Sequence, residues 1–337
     1  MIKRSLVRPQ RCVVAALRYQ GMVLALVLLV IVGFITAAKA DPDLTFATSK
    51  SGWIVWIADA RGLFKENGVD VKIELVTSGV AAAKGLIAGD YDLATMSEYA
   101  FVAKSFDHAD LKLVGTVAAI SNIRLIGRKD QGVVDGTNLG GKRIGLLEGA
   151  ISQFFLGKLL DINGIDPNSV TVVNYRPPAL PKALKAGDVD AIVSWEPYAS
   201  LSRDAIGEQA SELNVQGGQS YYFAIAAKDK TLSEKSEKVK AVISALIEAA
   251  DWAALNPDDA KQLLHQKLDL EMQDIENFWP DNVMDVTLAQ DMIFLMSEQA
   301  IWRSERGLSN GEIPDFFNRI NFDALESIDP SRVSVIK

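Results

Sequence analysis

Cysteine and histidine are almost missing from this 337-residue chain: one cysteine, Cys12, and two histidines, His108 and His265. A lone cysteine can form no disulfide within the chain, and no thiolate cluster can hold a metal. His108 sits in a polar turn, Phe106 to Asp110, and His265 in a helical pattern. Neither has a second histidine at metal-ligand spacing. No G-x-S-x-G elbow occurs, so the signature of a serine hydrolase is missing too. Gly136 to Lys142 has the G-x-x-x-x-G-K spacing of a phosphate loop, but Arg143 stands where a magnesium-binding hydroxyl is needed. The strand pattern Ile144 to Leu147 also follows that loop instead of preceding it. No catalytic residue, metal or cofactor is expected.

Long apolar runs are equally scarce. One exists, Met22 to Ala37, after a start that carries Lys3, Arg4, Arg8, Arg11 and Arg18 and no acid. Ala38-Lys39-Ala40 follows it. A basic start, an apolar stretch and an A-x-A site make a secretory signal peptide over residues 1–40, with cleavage expected after Ala40. The competing reading is a retained anchor, although a spanning helix wants about 20 apolar residues. Cys12 precedes the apolar run, so no lipid anchor is expected. The expected location is the periplasm. The whole chain carries −8, and without the six basic residues of the leader the charge falls to about −14. That disfavours nucleic acid and anionic membrane surfaces as partners.

The rest of the chain repeats itself. Leu63 to Asp70 (LFKENGVD) matches Leu159 to Asp166 (LDINGID after Leu159), and a strand pattern follows each, Val71 to Val76 and Val170 to Val173. Gly68 and Gly164 are placed to close helices in the left-handed conformation. Further on, Leu86 to Ala94 resembles Leu184 to Ile192, both read as helix, Gly-Asp turn and buried strand. Without a gap, Glu98 falls opposite Glu196. Alternating strands and helices predict an α/β fold of two lobes, each a mostly parallel sheet flanked by helices. Strand patterns at Asn122 to Arg128 and Ser220 to Ala226 are the expected crossings between them. Lobe one is then 41–125 with 225–337, and lobe two 126–224. Helical patterns at Glu234 to Leu255, Asp258 to Leu268 and Thr287 to Arg306 complete the chain.

Four motifs in this order carry a resemblance. They are Gly62-Leu63-Phe64 with Gly68-Val69, Ala88-Gly89-Asp90-x-Asp92, Gly141 to Gly145, and Gly187 to Ala191 running into Trp195-Glu196-Pro197-Tyr198. With them the chain resembles the substrate-binding proteins of ABC importers in the nitrate/sulfonate/taurine family, whose relatives also carry thiamine precursors. The resemblance implies a two-lobed periplasmic-binding-protein-like fold of type II with a ligand cleft and two hinge crossings. It also implies a small-molecule ligand, an ABC permease and its ATPase as partners, and a monomeric receptor.

Open α/β sheets bind ligands beyond the carboxyl ends of their strands. Five strand-to-helix turns are therefore expected to form the site. The first supplies Ser49, Ser51, Gly52 and Trp53, with Trp53 either stacking on ligand or buried in the core. The second supplies Thr77, Ser78 and Gly79, where the hydroxyls either cap a helix or help its N-terminus hold an anion. Ser97 and Glu98 come from the third, Gly149, Ala150, Ser152 and Gln153 from the fourth, and Trp195, Glu196 and Tyr198 from the fifth. Ser97 and Trp195 are expected across the cleft from each other. Glu98 and Glu196 either complement helix dipoles or meet a donor-rich ligand. An oxyanion and an amine-bearing or heterocyclic solute both remain open. So do a ligand sensor on the same lobes and, further off, a biosynthetic enzyme on the same fold.

Overall fold

The computed structural model describes residues 41–336. The expected leader and its cleavage site lie outside the described residues. In chain order the first group of elements is β1 Leu44–Thr48, α1 Trp53–Arg61, α2 Leu63–Glu66, β2 Val71–Leu75, α3 Gly79–Ala88, β3 Leu93–Ser97, α4 Glu98–Ser105 and β4 Leu111–Ile120. The second is β5 Arg124–Arg128, β6 Arg143–Leu146, α5 Ile151–Ile162, β7 Thr171–Asn174, α6 Leu180–Ala186, β8 Ala191–Ser194, α7 Tyr198–Ile206 and β9 Ala210–Asn214. The chain then returns through β10 Tyr221–Lys228, α8 Asp229–Glu234, α9 Ser236–Leu255, α10 Pro257–Leu268, α11 Met272–Phe278, β11 Asn282–Val283, α12 Gln290–Glu305 and α13 Asp323–Ile328. No helix among the described residues is long and apolar enough to cross a membrane.

Two sheets result, in the orders β2-β1-β3-β10-β4-β11 and β7-β6-β8-β5-β9. Their first three strands wind identically and run parallel. Gly68 and Gly164 both adopt left-handed backbone, with φ of 76° and 64°. Each lets the next N–H turn back onto the helix, Val69 onto the Phe64 carbonyl and Ile165 onto that of Leu160. The repeat also extends to a side-chain device. The Asp92 carboxylate accepts the Thr45 backbone N–H at 2.9 Å, and the Asp190 carboxylate accepts that of Arg143 at 2.8 Å, both across 47 residues. Each pins the start of a central strand to the turn before its neighbour.

The sheets are mixed and not mostly parallel. β10 runs antiparallel to both β3 and β4, and β5 runs antiparallel to both β8 and β9. These are the crossing strands, which enter each sheet from the other and so run against its βαβ units. The crossings also shift the expected lobe limits. β5 is paired in the second sheet from Arg124, and β10 in the first from Tyr221. Residues 124–125 thus go with the second sheet and 221–224 with the first. A strand pattern in sequence does not name the sheet that hydrogen-bonds it. The linking segments are laced together by Gln216, whose side chain accepts the Ile123 N–H at 2.7 Å and donates to the Ile120 carbonyl at 3.1 Å.

Candidate functional site

The five expected turns stand at the carboxyl ends of β1, β2, β3, β6 and β8, and each sends residues into one cavity. Ser49 and Ser51 enter from the first turn, Gly79 and Val80 from the second and Ser97 from the third. Ala150 and Ile151 enter from the fourth and Trp195 from the fifth, so both sheets share the cavity. Tyr221 and Phe223 of β10 complete the lining. None of these side chains is charged.

Three helices open at the cavity. α3 and α4 are capped in the ordinary way, Ser78 accepting the Ala81 N–H and Ser97 that of Ala100, both at 3.2 Å. α5 begins after Ala150 without a side-chain cap. Its first two N–H groups, of Ile151 and Ser152, therefore keep their hydrogen-bonding capacity and their share of the dipole of this twelve-residue helix beside the cavity, while that of Gln153 donates to the Ala150 carbonyl at 3.0 Å. Gly79 is needed where it stands, because a Cβ there would lie 2.8 Å from the Met96 Cα. This close approach lets α3 start against the end of β3.

A second cavity meets the first at Ser51. Lys50, Trp53, Asn122, Glu196, Asp274 and Asn282 are among the residues that line it. The Lys50 ammonium is held by the Leu268 carbonyl at 2.6 Å. Trp53 stacks on Trp279, ring centroids 5.6 Å apart. Burial pushes the Glu196 carboxyl up to about 7, against the N–H it accepts from Ser200.

The remaining expected residues lie elsewhere. Glu98 is fully buried and turned into the interior, where it accepts the Tyr222 N–H at 2.9 Å and the Gln299 amide at 2.7 Å. Burial pushes its carboxyl up to about 7 despite both bonds. Thr77 is exposed, and Gly52 starts α1 against the Thr48 hydroxyl. Gly149 donates to the Gln153 side chain at 2.9 Å, which closes a turn outside the cavity. Ser152 is buried with its hydroxyl unpartnered, and Tyr198 packs edge-on against Trp195 with centroids 6.2 Å apart. Val80, Ile151, Tyr221 and Phe223 were not among the expected residues. The two β10 aromatics follow from the crossing strand's place beside β3, which no local pattern reveals.

The chain is similar to proteins of known name. The taurine-binding periplasmic protein of Escherichia coli (strain K12) is 25% identical over 233 residues, covering 68% of this chain and 72% of its own. The alkanesulfonate-binding protein SsuA of Xanthomonas axonopodis pv. citri, bound to MOPS, superposes with a TM-score of 0.74 at 19% identity, covering 83% of this chain and 98% of its own. The desulfurization enzyme DSZB shares the fold as well, with a TM-score of 0.64 at 16% identity over 86% of this chain and 99% of its own. Residues 52–260 match the NMT1/THI5-like family model, and the chain belongs to that family.

Proposed function

We propose that this protein is the extracytoplasmic solute-binding component of an ABC importer, and that its solute carries a sulfonate or a similar oxyanion. The observation that carries the reading is the first cavity: serine hydroxyls, the uncapped start of α5 and an aromatic wall, without a charged side chain. Such a lining offers donors to an anion without a counter-cation, as helix N-termini do elsewhere. Glu98, next to Ser97 in the chain, turns away from it and into the interior. The names of the taurine- and alkanesulfonate-binding relatives agree with this choice. The receptor closes on the solute between its two sheets and hands it to a permease in the membrane. In this reading it performs no chemistry on the solute, in line with the binding-protein names of its relatives.

One observation favours a solute with an amino end as well. The second cavity gathers acceptors, the Glu196 and Asp274 carboxyls and two buried amide oxygens, of Asn122 and Asn282, that have no partner. Buried acceptors left unpaired are costly, and an ammonium reaching past Ser51 would satisfy them.

A thermal-shift panel of ethanesulfonate, taurine, nitrate and an aminopyrimidine separates these readings, since a ligand that binds only the folded protein raises Tm. The expected result is a shift with both sulfonates, larger with taurine if the second cavity takes an amine. A shift with the aminopyrimidine alone removes the oxyanion reading. Loss of the sulfonate from solution with product formation would make the protein an enzyme.

A further inference from the structure

Helix α12 belongs to the first sheet's half but grips the second. Its residues divide by register. Gln299 and Arg303, four apart, turn toward α4, where they donate to Glu98 at 2.7 Å and to the Tyr99 hydroxyl at 2.8 Å. Glu298, Trp302 and Arg306, also four apart, turn toward α5 of the other sheet. Glu298 pairs with Lys158 at 3.0 Å and Arg306 with Asp161 at 2.6 Å. Between those ion pairs the Trp302 ring meets Phe154 edge-on, centroids 5.4 Å apart, and covers Gly157. A Cβ on Gly157 would overlap that ring.

Glycine inside a helix is unfavourable, and at position 157 the space it leaves is filled by the indole. The ion pairs are largely exposed and contribute little, so the ring contact holds the two helices. α5 is also the helix whose uncapped first turn, Ala150 and Ile151, lines the solute cavity.

We infer that Trp302, seated on Gly157, is a positioning residue that holds α5 against the first sheet's half and so keeps its N-terminus in the solute cavity. It touches no solute and acts through α5. In the solute-free protein the contact favours the closed arrangement. A protein whose binding-competent state is better populated binds its ligand more tightly by that fraction. The affinity consequence rests on the cavity being the solute site; the effect on closure does not.

The test uses Gly157→Ala, Trp302→Ala and the double variant. Small-angle X-ray scattering measures the radius of gyration without solute, calorimetry measures ethanesulfonate affinity, and thermal melts check folding. Gly157→Ala favours the helix itself, so it should fold. It should nevertheless expand the solute-free protein and weaken ethanesulfonate binding about tenfold. With the indole gone the same change should have almost no further effect, because coupled residues are not additive. Should Trp302→Ala fail to fold, Trp302→Phe takes its place, since it keeps a ring but vacates the space over Gly157. Unchanged scattering in both single variants overturns the inference, and so do effects that simply add. If the unaltered protein binds no sulfonate, the solute reading fails while scattering still decides the role of Trp302.

Discussion

Replacing Glu98 by glutamine should stabilise the protein at alkaline pH and flatten its pH profile. The carboxyl is fully buried, and burial pushes it from 4.5 to about 7. The folded state therefore holds this proton more tightly than the unfolded one. Its favourable contribution is complete below about pH 4.5 and is lost as pH rises through about 7. A shift of this size corresponds to about 3 kcal/mol at pH 8. Glutamine keeps the shape and removes the buried charge. Its oxygen can still accept the Tyr222 N–H, now bonded to Glu98 at 2.9 Å. Its new amide needs an acceptor, and the Gln299 side-chain oxygen is buried without a partner. Rotation of the Gln299 amide supplies it. Urea denaturation at pH 5 and pH 8 measures both arms. Glu98→Gln should gain about 3 kcal/mol over the unaltered protein at pH 8 and little at pH 5. Part of the pH slope should persist, because Glu196 is also pushed up to about 7. A variant no more stable than the unaltered protein at pH 8 would refute the reasoning.

Trp195→Ala should weaken solute binding at least tenfold, about 1.4 kcal/mol, because the indole forms part of the cavity wall. Calorimetry with ethanesulfonate reads this, and unchanged affinity removes Trp195 from the site. Asp92→Ala should cost about 2–3 kcal/mol, since it strips the Thr45 N–H, at 2.9 Å, and the Lys235 ammonium, at 2.9 Å, of their acceptor. A denaturation midpoint that does not move would show that this device does not support the strand.

The half of the architecture that depends on local pattern was legible from the chain. Gly68 and Gly164 mark helix stops that only a left-handed residue makes easily, and both are found so. The Gly-Asp turns led to Asp92 and Asp190, which make the same backbone bond in both sheets. Strand ends also pointed to Ser49, Gly79, Ser97, Ala150 and Trp195, which do share one cavity. What escaped depends on distant pairing. β10 lies between β3 and β4, so its Tyr221 and Phe223 join the lining although they stand more than a hundred residues from either neighbour. Asp274 and Asn282 reach the second cavity from α11 and β11, far along the chain from Ser51. Glu98 misled because it adjoins Ser97. Ser97 caps α4 while the longer side chain of Glu98 meets β10 and α12 in the interior. Two neighbours at a helix start can thus serve the cavity and the core separately.

A crystal structure with ethanesulfonate shows most directly what holds the anion. The sulfonate should lie in the first cavity. Its oxygens should take bonds from serine hydroxyls and from the first N–H groups of α5, with Trp195 against the ethyl group. A sulfonate paired with a lysine or arginine outside that cavity, or seated among Glu196, Asp274 and Asn282, would contradict this placement.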